Sequence, residues 1–491
     1  MTWASGAAYT AITLLVGLVA TPQVVRFIGE SRFGAFRTVS DWMGYLLLAD
    51  LGLGTAFGVA LVRASGTGPE ECAAVVRQAL RLLGRMTALT FPLALALAWF
   101  MPHLIRDGWQ SAFALRASAG VIAIGLVLGP LLVFRSYLEA TQRGYLVNVA
   151  LLAQSLIVTA FSVLFAWNGF GLVGQSVAGL LGLVMFVGLI AAWSMPLLNA
   201  HPSTGRSPMA AREVWSLSWP LAAAAAGNRL NLMTDTIVVG KLLGVGDVAM
   251  LFLTQRIILL CAGQVNALAS SSWAALAELR HSGQTTAFGL RLGELTRLMV
   301  GAGLVLVGSV AAFSRDFVTL WVGPQLYAGD LLCLATLGSV IVFAFMLPYS
   351  WAIDVAGDAR LRLLPSTIGS VLNLALSVVF VKRWGVAGVA LGTLCAYLLT
   401  DAWYCPLLVS RRYGVRLEPV VRAASRGLGV GLPWVALVWI LPRVRTVPVT
   451  WTAFITQAAV VGVAALVYCW FLVMNPKDRI DWSHRLRTLV A

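Results

Sequence analysis

FGLVGQSVAGLLGLVMFVGLIAAWSM, from Phe170 to Met195, runs 26 residues without a charged side chain. An α-helix rises about 1.5 Å per residue and needs roughly 20 apolar residues to cross a hydrocarbon core about 30 Å thick, so this run is long enough to span a bilayer. It also sets small residues four apart, Gly174, Ala178 and Gly182. That spacing lets helix backbones approach inside lipid, where no hydrophobic force draws helices together. Both properties recur along the chain. Of its 491 residues 59% are hydrophobic and 11% charged, with mean hydropathy +0.85, whereas soluble domains carry about 25% charged residues. The apolar residues come in long runs, not in the alternation of a transmembrane β-barrel, so the expected fold class is an all-α polytopic membrane protein.

Runs bounded by charge, Pro or Gly give about fourteen spans: 3–25, 39–62, 83–105, 113–137, 145–167 and 170–195, then 214–239, 248–275, 292–313, 326–351, 363–381 and 386–408, then 427–441 and 449–474. The first run has no basic segment before it and meets Pro22 where a cleavage site would fall, so it reads as a retained helix. The polar stretch 196–212, with His201, Pro202, Gly205 and Pro208, reads as a cytoplasmic linker. The organisation expected is an N-lobe at 1–195, the linker, a C-lobe at 213–410, and a C-terminal part at 411–491 with a basic segment, the last helix pair and a tail. With Met1 in the cytoplasm, roughly 22 Lys and Arg fall on cytoplasmic loops and about 11 on the far side, so the positive-inside rule favours N- and C-termini both cytoplasmic. Most of the net charge of +15 is then a topology signal, and nucleic acid is not an expected partner.

The sequence repeats itself at an offset of about 215 residues. Val24-Val25-Arg26-Phe27-Ile28-Gly29 lines up with Val239-Gly240-Lys241-Leu242-Leu243-Gly244. Late in each unit Gly171-Leu172-Val173-Gly174, Ala178 and Gly182 line up with Gly385-Val386-Ala387-Gly388, Gly392 and Ala396, one residue out of the earlier register, and Ser155 and Ser162 with Ser370 and Ser377. An even number of spans per unit makes the two six-helix copies a parallel repeat about an axis along the membrane normal.

Polar side chains sharing a helix face need protein or water against them. Asn228, Asn231 and Asp235 form such a stripe on the seventh span and are read as lining a water-filled cavity. Asn148, Ser155, Thr159 and Ser162 on the fifth, and Ser366, Ser370, Asn373 and Ser377 on the eleventh, are read as interhelical glue. Few ionisable groups lie within spans. Arg37 and Asp41 can pair at i, i+4, as can Arg135 and Glu139, whereas Asp41 and Asp50, nine apart, face opposite sides of a continuous helix. Arg229 and Asp50 are deep and lack an obvious local partner.

Enzymatic chemistry has no visible seat. The far-side loops are short, the four histidines are isolated at helix ends, and no HExxH, P-loop or GxSxG context occurs. The six cysteines are scattered without paired spacing and read as packing residues.

The opening stretch, with Arg26-Phe27-Ile28-Gly29-Glu30-Ser31-Arg32-Phe33-Gly34 followed by Leu48-Ala49-Asp50-Leu51-Gly52-Leu53-Gly54, resembles the start of the polysaccharide-type flippases of the multidrug/oligosaccharidyl-lipid/polysaccharide exporter superfamily. Asp235-Thr236-Ile237-Val238-Val239-Gly240, Ala356-Gly357-Asp358 and Trp384-Gly385-Val386-Ala387-Gly388 look like signatures of the second half. The resemblance implies two lobes in a V around a central cavity. It implies transport of an undecaprenyl-diphosphate-linked oligosaccharide from inner to outer leaflet of the cell inner membrane by alternating access, beside polysaccharide polymerase and export machinery. Arg is the side chain suited to phosphate, so Arg37, Arg229 and Arg256 are the expected diphosphate contacts, with Asn228 and Asn231 beside them. Arg26 and Arg63 are weaker candidates near helix ends, where snorkelling to the interface is the plainer account. Asp41, Asp50 and Asp235 are expected to carry a coupling H+ or Na+ or to neutralise the arginines, and no other cofactor is expected. A lipid II flippase of the same fold also has fourteen helices. A drug/cation antiporter would usually stop at twelve and in many members place a carboxylate in the first helix, which this chain lacks. A non-transport scaffold would need only the basic cytoplasmic surface.

Overall fold

The computed structural model describes residues 2–200, 211–270, 272–356, 358–444, 450–475 and 479, and every regular element among them is helical. By its internal contacts the chain divides into two units, Met1–Ala249 and Met250–Ala491. The first contains α1 (Thr2–Ile28), α2 (Glu30–Gly44), α3 (Leu53–Ser65), α4 (Pro69–Leu104), α5 (Ala112–Leu126), α6 (Val133–Ala140), α7 (Gly144–Trp167), α8 (Gly171–Asn199) and α9 (Ala211–Leu242). The division falls within α10 (Val245–Ser270). The second unit continues with α11 (Trp273–His281), α12 (Thr285–Ala312), α13 (Ser314–Trp321), α14 (Asp330–Val355), α15 (Leu363–Trp384), α16 (Ala387–Leu399), α17 (Asp401–Tyr413), α18 (Leu417–Val444) and α19 (Trp451–Tyr468), the last running on as a π turn, Cys469–Val473.

Among the described residues ten helices are long and apolar enough to cross a membrane, and α5 with α6, bent by 50°, makes an eleventh crossing. The three remaining sequence spans are helical too. The second is α2 and α3 with a 3-10 turn, Tyr45–Asp50, between them, the seventh is the charge-bearing α9, and the twelfth is α16 and α17, broken at Thr400. Several boundaries differ from expectation, two of them most. The third span starts much earlier, since α4 opens at Pro69, and the thirteenth, expected at 427–441, is the 28-residue α18. A span read from hydropathy stops at the first charge, whereas the backbone hydrogen bonds continue through good helix formers such as Arg into the aqueous interface.

The linker residues 201–210 lie outside the described residues, between the end of α8 at Asn199 and the start of α9 at Ala211. Inside the first unit α9 is clamped at several points. The Arg106 backbone N–H donates to Gly240 O at 3.2 Å, and the Arg106 guanidinium donates to the carbonyls of Leu242 and Leu243, each at 3.0 Å. Those carbonyls end α9 without intrahelical partners, so a cation there meets both a hydrogen-bonding need and the helix dipole.

The internal repeat is visible in the backbone. Gly171 and Gly385, opposite each other in the sequence alignment, have φ of 55° and 56°, and Gly29 and Gly244 have φ of 83° and 139°. These are conformations that residues with a Cβ rarely adopt. The helices on either side of Gly171 and of Gly385 are each tied by a side chain to backbone, but from opposite members of the pair. In the first unit Gln175 of α8 donates to Ser162 O of α7 at 3.0 Å, and in the second Ser377 of α15 donates to Val389 O of α16 at 3.5 Å. Thr393 of α16 donates to Asn373 Oδ1 of α15 at 3.2 Å, and Asn148 of α7 donates to Ser5 Oγ of α1 at 2.9 Å, the glue role expected for these stripes.

The small residues at four-residue spacing set how close these pairs come. A Cβ on Gly182 would fall 2.3 Å from Val158 Cγ2, one on Gly388 would fall 2.4 Å from the Phe380 and Val381 backbone, and one on Gly392 would fall 2.5 Å from Ser377 Oγ. Backbone cannot step aside as a rotamer can, so Gly388→Val should cost more than the 1 to 3 kcal/mol typical of overpacking, about 3 or more. Gly179→Ala, with open space around it, should cost little. Thermal melting of the purified protein in detergent checks this, and equal melting of both variants would refute it.

Outside the spans, Asp358 joins the α14–α15 connection to α17. Its carboxylate accepts from Arg412 at 2.8 and 3.1 Å and from the Tyr413 hydroxyl at 2.9 Å. Arg412 first and Tyr413 second hold the Asp358 carboxyl below its ordinary value near 4. A depressed carboxylate pKa contributes stability that is present above about pH 4 and lost as pH falls through the depressed value. The gap in melting temperature between wild type and Asp358→Asn should therefore close as pH drops below about 4. A gap that stays constant would contradict the assignment.

Candidate functional site

Two helix breaks of the first unit define a cavity. After α2 the chain winds through Tyr45–Asp50, turns left-handed at Leu51 (φ 50°), and restarts as α3. The Asp50 carboxylate accepts from the N–H groups of Gly52 at 2.9 Å and Gly54 at 3.3 Å, so it satisfies donors that the break leaves exposed and caps the start of α3. The second break lies between α5 and α6, where the 3-10 turn Gly129–Leu132 carries Pro130. Between these breaks, α4 and α6 lies a cavity of about 810 Å3. Its polar wall is Asp50, Thr55, Thr87, Thr90, Arg135, Ser136 and Glu139, and its apolar wall includes Leu46, Leu83, Met86 and Leu132.

Arg135 and Glu139 pair as their spacing implies, with Nε to Oε1 at 2.9 Å and each side chain about half exposed. From the sequence these two are an i, i+4 pair and, like Thr55, Thr87, Thr90 and Ser136, are not among the expected site residues. The signal that could have found them is Gly129-Pro130, a pair that interrupts a helix and turns the following residues toward a new face.

A second polar cluster lies where α2 and the Tyr45–Asp50 turn meet α9. Arg37 and Asp41 pair at 3.7 Å, with the Asp41 side chain only 12% exposed. Thr236 of α9 is a side-chain hydrogen-bond partner of Asp41. The Tyr45 hydroxyl and Thr234 Oγ1 are 3.0 Å apart, and Asp235 acts electrostatically on the same tyrosine. The acidic end of the seventh-span stripe is thus brought to the Arg37–Asp41 pair.

The other expected residues separate. Asp50 has local partners after all, the two backbone N–H groups, because the helix is broken there. Asp41 and Asp50 do not share a site: Asp41 pairs with Arg37, whereas Asp50 lines the cavity after the break. The side chains of Asn228, Arg229 and Asn231 lie outside the described ones. Arg26, at the end of α1, and Arg63, at the end of α3, are exposed, as snorkelling residues are. Arg256 belongs to the second unit, where its guanidinium carbon lies 5.4 Å from the Phe252 ring centre and the neighbouring Gln255 donates to Thr336 at 2.9 Å.

A bundle of membrane-crossing helices that repeats internally and keeps a polar-walled cavity beside broken helices has the architecture of a membrane transporter. A family model described as polysaccharide biosynthesis protein matches residues 2–274, and the chain belongs to that family. Among solved structures it resembles a lipid II flippase, MurJ, in an inward closed conformation, at 13% identity over 94% of this chain and 97% of that one, with a TM-score of 0.72. It also resembles an inward-facing multidrug resistance transporter of the MATE family and MOP superfamily, at 16% identity over 81% and 95% with a TM-score of 0.65. A MOP superfamily transporter from Pyrococcus furiosus gives 16%, 89% and 96%, and 0.57. No curated protein sequence matches the chain.

The capping role of Asp50 can be measured by itself. Asp50→Asn keeps an oxygen acceptor for Gly52 and Gly54 and should melt within about 0.5 kcal/mol of wild type, whereas Asp50→Ala should lose about 1 kcal/mol. Chemical or thermal unfolding in detergent measures both, and a harmless Asp50→Ala would remove the cap.

Proposed function

We infer that the protein is a flippase that carries an undecaprenyl-diphosphate-linked oligosaccharide from the inner to the outer leaflet of the cell inner membrane by alternating access, with both termini cytoplasmic. The observation that carries this reading is the cavity of about 810 Å3 inside a membrane bundle, walled by two carboxylates, an arginine and four hydroxyls. Sugar hydroxyls both donate and accept, and a wall of Asp50, Glu139, Thr55, Thr87, Thr90 and Ser136 offers them partners of both kinds in place of water. The volume lies within the roughly 300 to 1,000 Å3 common for small-molecule sites.

The diphosphate needs cations. Arg37 in the first unit is ion-paired with Asp41, so a phosphate oxygen would compete for a guanidinium already set in place. Arg229 in the first unit and Arg256 in the second carry the same proposal, with Asn228 and Asn231 as neutral donors. Asp41, Asp50 and Asp235 are the proposed carriers of a coupling proton or sodium ion. A polymerase or export partner fits a family named for polysaccharide biosynthesis.

The test is transport in vesicles holding the purified protein and a fluorescent undecaprenyl-diphosphate oligosaccharide. Wild type should expose the lipid under an imposed H+ or Na+ gradient. Glu139→Gln and Arg37→Gln should each lower the rate at least tenfold, roughly 1.4 kcal/mol or more of lost stabilisation, while folding normally. Movement of lipid II alone would reassign the substrate. No movement of either lipid under any gradient would refute the flippase reading and leave an antiporter or a scaffold.

A further inference from the structure

The internal repeat shows where its two copies part. Gly171, Gly174, Ala178 and Gly182 of α8 align with Gly385, Gly388, Gly392 and Ala396 at one constant offset, and the same offset pairs Phe186, Val187 and Ala191 with Thr400, Asp401 and Cys405. Phe186 and Val187 are each 3% exposed inside an unbroken α8. Asp401 is also enclosed, 9% exposed, yet the helix stops before it and restarts as α17. The fold thus accepts a buried valine and a continuous helix at this place, so packing does not account for the carboxylate. An ionisable group inside a span is costly and calls for another reason.

Its surroundings come from three helices of the second unit. The Cys405 thiol donates to Asp401 Oδ1 at 3.8 Å, and Ser350 of α14 is in turn a side-chain hydrogen-bond partner of Cys405. Oδ2 faces α15, where a Cβ on Gly369 would fall 3.6 Å from it and 2.9 Å from Thr400 Oγ1. The Thr400 hydroxyl donates to Ala396 O. Among the described residues the cation acting on Asp401 is Arg362, at the end of the 3-10 turn Ala359–Arg362 ahead of α15. Arg362 is shared, since its Nη1 donates to both carboxylate oxygens of Asp354, each at 3.1 Å. Its Nε is enclosed without a hydrogen-bond partner, a donor left over for a second carboxylate. Asp354 lies one turn beyond Ser350 on α14, and the side chains of Arg362 and Asp354 are 27% and 39% exposed. The groups therefore run from a partly exposed ion pair to an enclosed acid. Of the other helices packed on α17, α16 has no charged residue and α18 opens with Glu418 and Arg422, which pair with each other.

The donor set decides which cation fits. Hard metal ions take several oxygen ligands, whereas the neighbour on Oδ1 is a sulfur and the nearest hydroxyl is turned to a carbonyl. A proton needs one carboxylate oxygen. An enclosed carboxylate holds its charge only with a cation beside it, and the cation here is shared and carried on a short turn. We propose that Asp401 is a proton-binding site of the second unit, which keeps its charge while Arg362 is turned toward it, takes one proton from water when the α14–α15 connection carries Arg362 away, and releases it on return. The use of that proton to drive transport, beside the acids of the first unit, rests on the flippase reading; the site itself does not.

Infrared difference spectroscopy of the full chain in lipid, with pH stepped over about 5 to 9, reads the site directly. On acidification wild type should gain the C=O stretch of one enclosed carboxylic acid together with a shift of the Cys405 S–H stretch. Asp401→Asn should show neither, and Cys405→Ala should lose the S–H change alone. Asp401→Val, which gives the second copy the residue that the first holds at Val187, should melt no lower than wild type and also show neither. In vesicles carrying a lipid-linked oligosaccharide, an imposed H+ gradient should speed wild type at least fivefold and leave Asp401→Asn unchanged. A spectrum of Asp401→Asn identical to wild type, or a wild-type band constant over the whole pH range, overturns the proton site whatever the protein transports. A variant that keeps the full response to the gradient overturns its part in coupling. Where wild type moves no lipid under any gradient, the flippase reading fails and the infrared bands alone decide the site.

Discussion

Hydrocarbon offers no partner to a backbone N–H or C=O, and that constraint organises the whole chain. It forces every crossing to be helical, and it means that a crossing can be interrupted only where the protein supplies replacement partners. Three interruptions occur among the described residues, and each has its own. At Tyr45–Asp50 the Asp50 carboxylate takes the N–H groups of Gly52 and Gly54. At Gly129–Leu132, Pro130 has no N–H to satisfy. At Thr400 the side-chain hydroxyl returns a hydrogen bond to Ala396 O at 2.7 Å, and Asp401 opens the next helix at its positive end. Polar residues are costly in these spans, so they concentrate where the backbone needs them, and the same places then have polar groups to present to a ligand.

The cavity of the first unit follows from that logic. Two breaks facing one unbroken helix, α4, leave a gap that straight helices would have closed, and the polar groups recruited by the breaks become its lining. Elsewhere the bundle closes tightly. Glycines at 182, 388 and 392 bring neighbouring helices within backbone contact, and Ser, Thr and Asn hydrogen bonds hold the same pairs. The first unit thus sets a glycine-seated helix pair, α7 and α8, beside a cavity bounded by broken helices.

How much of this could be read from the sequence depends on what each signal is made of. Helix length and hydropathy are sums over twenty residues, so the spans were legible as helices, ten of them long and apolar enough to cross a membrane among the described residues and an eleventh as a bent pair. The repeat was legible because Gly171 and Gly385 answer a backbone requirement that no other residue meets as easily, and the matching φ of 55° and 56° shows why both positions kept glycine. The break at Tyr45–Asp50 was not legible, because Tyr45-Leu46-Leu47-Leu48-Ala49 is as apolar as any helix. Asp50 reads from the sequence as a charge without a local partner because its partners, the N–H groups of Gly52 and Gly54, are exposed only by the break. The Arg37–Asp41 pair lies before the break, where the helical spacing still holds, and it forms as read.

Asp50 therefore has two tasks that cannot be separated in space. Its carboxylate fixes the start of α3 and also faces the cavity. Any cation or hydroxyl that engages it from the cavity side must either share its lone pairs with the two backbone N–H groups or draw the carboxylate away from them. A carboxylate has about four lone-pair sites, so it can be shared between the two backbone N–H groups and a donor from the cavity. The geometry of the break is consequently tied to what occupies the cavity. A capping interaction worth about 1 kcal/mol is of the size at which such coupling shifts a conformational equilibrium severalfold without unfolding the helix.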